Sequence, residues 1–161
     1  MKEINYIAGD ATNPVGQGNK VICHICNDIG LWGKGFVLAL SKRWPEPQQQ
    51  FLNWYQGRTN NSFGLGGVHF VKVEKSSDEI WVANMIGQHG VKSIPDGPPI
   101  RYEAVEMCLE KVRQKAISIG AAIHMPRIGC GLAGGKWDKI EAIITKQLSI
   151  YNVPVFVYDF K

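Results

Sequence analysis

No stretch of the 161 residues approaches the roughly 18 consecutive apolar residues of a membrane-spanning helix. The opening "MKEINYIAGD" lacks the long apolar run of a secretory leader. Basic residues never cluster. The net charge of +4 comes from scattered positions, which admits an anionic ligand but offers no grip on a nucleic-acid backbone. There is no internal repeat, linker or low-complexity segment. These absences lead to the expectation of one cytoplasmic domain over residues 1–161, with no membrane partner and no direct nucleic-acid contact.

Cysteine is sparse as well, with four residues at Cys23, Cys26, Cys108 and Cys130. Cys23 and Cys26 form a C-x-x-C, but they lie inside "KVICHIC", which reads as a strand. Residues three apart on a strand point to opposite faces. No second C-x-x-C completes a four-cysteine zinc site. His69, His89 and His124 show no ligand spacing with acidic partners. The chain therefore reads as having buried free thiols and no metal site.

What is present is an alternation of element signals. "EINYIAG" and the continuous apolar run "KVICHIC" read as strands, the second central. "KGFVLALSKRW" reads as a helix stopped at Pro45, and "PQQQFLNWYQG" as another. "VHFVKVE" and "EIWVANMIG" read as strands parted by the turn "KSSD". "VKSIPDGPP" is a loop rich in breakers. Tyr102, Val105, Leu109, Val112, Ala116 and Ile119 recur at helical spacing, and Gly120 closes that helix. "AAIHM" is a strand. Ile140, Ile143, Ile144 and Leu148 mark a last helix, and "VPVFVYDF" a last strand. Strands alternating with helices predict an α/β sandwich with helices on both faces of a largely parallel sheet.

Glycine concentrates in two strand-to-helix connections, "GLWGKG" at 30–35 and "PRIGCGLAGGKWD" at 126–138. Ligands of open α/β sheets settle beyond the carboxyl ends of the strands. A glycine loop there presents backbone N–H groups and the positive end of a helix dipole, which suits a phosphate. A structural turn explains such glycines equally well. Better-known motifs fail. A P-loop frame ending at Gly135-Lys136 finds Cys130 at its first glycine and Trp137 at its Ser/Thr. Gly129-Cys130-Gly131-Leu132-Ala133-Gly134 fits a dinucleotide fingerprint but comes late in the chain. Cys130 has glycines one residue away on each side, not two, so it is no nucleophile elbow.

"GDAT" after the first strand, "HICND" in the second, "GLWGKGFVLAL" opening a helix and "PRIGCGLAGGKW" before the last helix together resemble a macrodomain, in order and over the full length. The similarity is strongest to the branch with the yeast ADP-ribose 1″-phosphate phosphatase, the terminal ADP-ribose glycohydrolases and a chromatin-remodeller macrodomain. It implies a three-layer α/β/α sandwich with a mixed, mostly parallel sheet of about six strands. It also implies a cleft for ADP-ribose or a derivative, needing no cofactor. Two outcomes stay open: slow hydrolysis of ADP-ribose 1″-phosphate, or non-catalytic reading of free ADP-ribose or of an ADP-ribosylated protein.

The resemblance assigns roles residue by residue. Asp10, with Ala11 beside it, should accept the adenine amino group, since that amine only donates. Asn27 should touch the distal ribose. Gly33, Lys34, Gly35 and Phe36 should face that ribose and a phosphate. Ile128, Gly129, Cys130, Gly131, Leu132, Ala133 and Gly134 should cradle the diphosphate. Tyr158 should stack on adenine, with Phe160 the alternative. His24, in an "HxCN" block shared with the phosphatase branch, and Asn27 are the catalytic candidates. A histidine hydrogen-bonded inside a central strand is the plainer reading of His24. The glycohydrolases' catalytic lysine and aspartate fall at Gln88 and Ala133, which can neither form an imine nor take a proton.

Overall fold

The computed structural model describes residues 1–92 and 97–160. Part of the breaker-rich loop, residues 93–96, therefore lies outside the described residues. The described chain forms β1 (Asn5–Ala8), β2 (Lys20–Asn27), α1 (Phe36–Arg43), α2 (Glu46–Gln56), β3 (Val68–Lys75), β4 (Glu79–Gln88), α3 (Tyr102–Ile119), β5 (Ala122–Pro126), α4 (Trp137–Gln147) and β6 (Val155–Asp159). The sheet order is β1-β6-β5-β2-β4-β3. Five strands run parallel; β3 alone pairs antiparallel, closing a hairpin with β4.

Alternation along β2 builds the three layers. Val21 and Cys23 join the core under α3 and α4, with Val105, Leu109, Val112, Ile140 and Ile144. Ile22 and Cys26 join the core under α1 and α2, with Leu40, Phe51 and Trp54. The two C-x-x-C thiols thus face opposite layers, both buried and free, and burial holds both thiols well above their usual pKa. Among the described residues no group of three His, Cys, Asp or Glu side chains gathers as a metal site. None of the described helices is long and apolar enough to cross a membrane.

Helix ends follow the sequence. Lys42 and Arg43 occupy the last turn of α1, where cations complement the dipole. Gly120 caps α3 in the left-handed region at φ 63°. The parallel strands bring Gly9, Asn27, Gln88, Pro126 and Asp159 to one edge of the sheet, and both glycine connections arch over it.

Candidate functional site

Two cavities open on that edge. The first, about 280 Å³, is bounded by His24, Lys34, Phe36, Gln88, Arg127 and the 128–133 loop except Cys130. The second, about 310 Å³, is bounded by Gly9, Asp10, Ala11, Ala39, Tyr158 and Phe160. Gly35, Phe36 and Pro126 line both, so the two form one cleft. No carboxylate lines the first cavity, whereas Lys34 and Arg127 do. Asp10 is the acid of the second, among mostly apolar walls. One end suits an anion; the other suits a flat apolar ring carrying a donor.

The glycines of the second loop divide by cause. A methyl group at Gly135 would lie 2.5 Å from the Gly129 carbonyl oxygen, at Gly134 2.6 Å from Pro98, and at Gly129 2.8 Å from Ile100. Gly129 and Gly134 also adopt φ of 73° and 74°. These three are glycine because the loop folds tightly on its neighbours. Gly131 differs: an added methyl meets nothing within 4 Å, and its φ is not positive. The loop does not need a glycine there, and Gly131 borders the open cavity.

Asp10 is held by the residue two places on. Its Oδ1 accepts the Thr12 N–H and Oγ1–H at 2.8 Å each, and among the described residues Oδ2 has no partner. At the same end Tyr158 is 3% exposed and Phe160 79%. The Tyr158 hydroxyl is hydrogen-bonded to His124 Nδ1 at 2.7 Å and accepts the Val15 N–H at 2.9 Å. Tyr158 is thus a wall that ties down the segment after Asp10. Phe160, just past the end of β6, lines the same cavity and is the exposed ring of the two. This reverses the order of preference between the two.

The catalytic candidates need correction. His24 borders the first cavity, yet it is buried and its Nε2 lies 2.5 Å from Asn84 Oδ1. Asn84 Nδ2 donates to the Pro47 carbonyl, so Oδ1 must accept and His24 Nε2 must donate. Burial, opposed by that bond, lowers the His24 pKa to about 4. A neutral imidazole locked in this way is a poor acid or base near neutrality. Asn27 is the last residue of β2, just past a register shift between Cys26 and Asn27. Its Oδ1 accepts the Ile29 and Leu31 N–H groups and its Nδ2 donates to the Leu31 carbonyl. That amide shapes the 28–31 loop and borders neither cavity.

Gly33, Cys130 and Gly134 also border neither cavity. Cys130 packs partly into the core, and burial, opposed by Arg127, raises its thiol pKa, so it is not activated. Arg127 was not singled out from the sequence, although it stands inside the "PRIGCGL" block. It makes a two-pronged ion pair with Asp159, at 2.6 and 3.1 Å, and stacks between Tyr6 and Trp137 at 5.1 Å from each ring. Trp137 opens α4, so this stack closes the base of the glycine loop.

The chain is an α/β/α sandwich around a mostly parallel sheet, with one cleft under two glycine loops. No family model matches the chain. A macrodomain protein of Streptomyces coelicolor is 50% identical, with a TM-score of 0.87, and the match covers 98% of this chain and 99% of that one. The chain belongs to the macrodomain family. It is also 30% identical to the mouse chromodomain-helicase-DNA-binding protein 1-like over 98% of its own length, spanning 18% of that protein. An ADP-ribose 1″-phosphate phosphatase of Candida albicans is 29% identical, over 88% of this chain and 91% of that one.

Proposed function

We propose that the chain binds ADP-ribose or a derivative of it in this cleft. Adenine sits in the second cavity, its amino group on Asp10 and its face on Phe160. The diphosphate lies under residues 128–133, where backbone N–H groups and the start of α4 favour negative charge. The distal ribose reaches the ends of β2 and β4. Gly131 carries this reading: it is glycine with no internal reason to be, at the point where a phosphate must come closest. Calorimetry with ADP-ribose should give a micromolar Kd, roughly −8 kcal/mol, with AMP clearly weaker. Asp10→Ala should cost about 1.5–3 kcal/mol, the range for a hydrogen bond to a charged group. No heat with millimolar ADP-ribose ends the proposal.

A second reading adds chemistry at the same site: slow release of phosphate from ADP-ribose 1″-phosphate. Relatives of similar length that bear that phosphatase's name, and an acid-free first cavity, favour it. Imine chemistry on protein-linked ADP-ribose has no support. Gln88 donates its amide to the Gly90 carbonyl at 2.8 Å, and Ala133 offers no proton acceptor. Without the phosphatase step the chain is a reader of ADP-ribose, free or on a protein. Incubation with ADP-ribose 1″-phosphate, with phosphate followed over time, separates the two.

A further inference from the structure

The second glycine loop leaves β5 at Arg127 and enters α4 at Trp137, and these two flanking residues meet. Arg127 borders the first cavity, whereas Trp137, Tyr6 and Asp159 border neither. Arg127 Nε and Nη2 donate to the two Asp159 oxygens at 2.6 and 3.1 Å. Its Cζ stands 5.1 Å from the ring centroids of both Tyr6 and Trp137, and those rings meet edge to face. Trp137 Nε1 donates to the Tyr6 hydroxyl at 3.1 Å, and that hydroxyl donates to Glu141, one turn further along α4. The start of the loop, its end, β1 and the tip of β6 are thereby joined at one point.

An exposed ion pair adds little to stability unless its geometry is two-pronged and several groups share it, and here both conditions hold. The same geometry argues against a direct grip on the ligand. The edge of the guanidinium that would fork a phosphate, Nε and Nη2, is already closed on Asp159. What Arg127 does reach is the loop's own backbone. Its carbonyl accepts the Cys130 N–H at 3.4 Å, and the Gly135 N–H donates to the Gly129 carbonyl at 2.7 Å. These bonds tie the loop to itself. The side chains of Arg127 and Trp137 tie it to the edge of the sheet.

We propose that Arg127 is a positioning residue of the binding site: anchored on Asp159 and packed on Tyr6 and Trp137, it fixes both ends of the glycine loop so that residues 128–133 are set for a diphosphate before it arrives. This rests on the ADP-ribose reading above. A cradle ordered in advance leaves less to be ordered on binding, which is where its affinity comes from. The role needs the planar fork of arginine and not its charge alone, and lysine has no fork. A direct attraction between Arg127 and the ligand gives the opposite sign at Asp159. Removing a negative charge beside an anionic ligand tightens binding, whereas removing the anchor of Arg127 loosens it.

The test is calorimetry of ADP-ribose and of adenosine on wild type, Arg127→Met, Arg127→Lys and Asp159→Ala, with the melting temperature of each. Arg127→Met should weaken ADP-ribose by about tenfold, the lower end of what losing an outer supporting group costs a site. Arg127→Lys should lose nearly as much, and Asp159→Ala should also bind ADP-ribose more weakly. Adenosine, which carries no phosphate, should bind all four alike. Wild-type affinity in Arg127→Lys, or tighter ADP-ribose binding by Asp159→Ala, makes Arg127 a plain charge and overturns the positioning role. Equal losses for the two ligands with a lowered melting temperature overturn it too, in favour of a general packing role. Each of these outcomes leaves the ADP-ribose reading standing. A wild type that binds no ADP-ribose overturns that reading and this inference together.

Discussion

At the scale of single residues, the cleft separates side chains that hold the fold from those that face the ligand. Tyr158 and Phe160 show the division. Both line the second cavity, but Tyr158 is buried and held through its hydroxyl by His124 and Val15. Phe160→Ala should cost about 1–3 kcal/mol of ADP-ribose affinity, the worth of one base–aromatic stack, with the melting temperature unchanged. Tyr158→Phe should do the reverse, lowering the melting temperature by leaving His124 and the Val15 N–H unpaired while binding holds. Equal affinities in wild type and Phe160→Ala would put adenine elsewhere. Two buried histidines add a pH dependence. Burial lowers His24 and His124 from 6.5 to about 4 each. Between those values the unfolded chain binds more protons than the folded one, so stability falls as pH drops from 6.5 towards 4 and is flat above. The slope reaches about 1.4 kcal/mol per pH unit for each histidine. Urea titrations at pH 7.5, 5.5 and 4.5 measure it, and equal midpoints at all three would contradict the assignment.

At the scale of elements, much was legible. Each strand and helix announced itself through its apolar period, its glycine or proline stop, or both. The central place of β2 followed from its unbroken apolar run, because a strand covered on both faces has no polar side. The glycine loop was legible as a strand-to-helix connection that could take a phosphate, but not which of its glycines the fold itself requires. That distinction rests on Pro98 and Ile100, about 30 residues away, which no local pattern reveals. The same reason hid the roles of His24 and Asn27. Asn84 fixes the first from a neighbouring strand, and the second turns inward onto its own loop. The loop yields a paired prediction. Gly131→Glu should abolish ADP-ribose binding with an unchanged melting temperature, since the side chain enters open space and adds like charge beside the diphosphate. Gly135→Ala should lower both, by about 1–3 kcal/mol in stability, because its methyl strikes the Gly129 carbonyl. Normal binding by a folded Gly131→Glu would move the phosphates out of this loop.

At the scale of the whole molecule, the sheet acts as a ruler. Its parallel strands end along one line, and the cleft over them joins an apolar pocket with one acid to a pocket walled by Lys34, Arg127 and the glycine loop. On the proposed reading the ligand is flat and donor-bearing at one end and anionic beyond it. That ordering predicts how partial ligands respond to substitutions at opposite ends. Adenosine uses only the β1–β6 end, so Asp10→Ala should weaken adenosine and ADP-ribose by the same factor. Gly131→Glu should remove ADP-ribose binding and leave adenosine binding unchanged, because the added carboxylate meets no phosphate. The two positions lie in different cavities and share no partner, so their effects should add. In Asp10→Ala/Gly131→Glu, adenosine should therefore bind as it does to Asp10→Ala alone. Calorimetry of both ligands on wild type, the two single variants and the double variant gives the comparison. If Gly131→Glu weakens adenosine as strongly as ADP-ribose, the two cavities are not separate subsites, and the ligand does not lie across the sheet from β6 to β4.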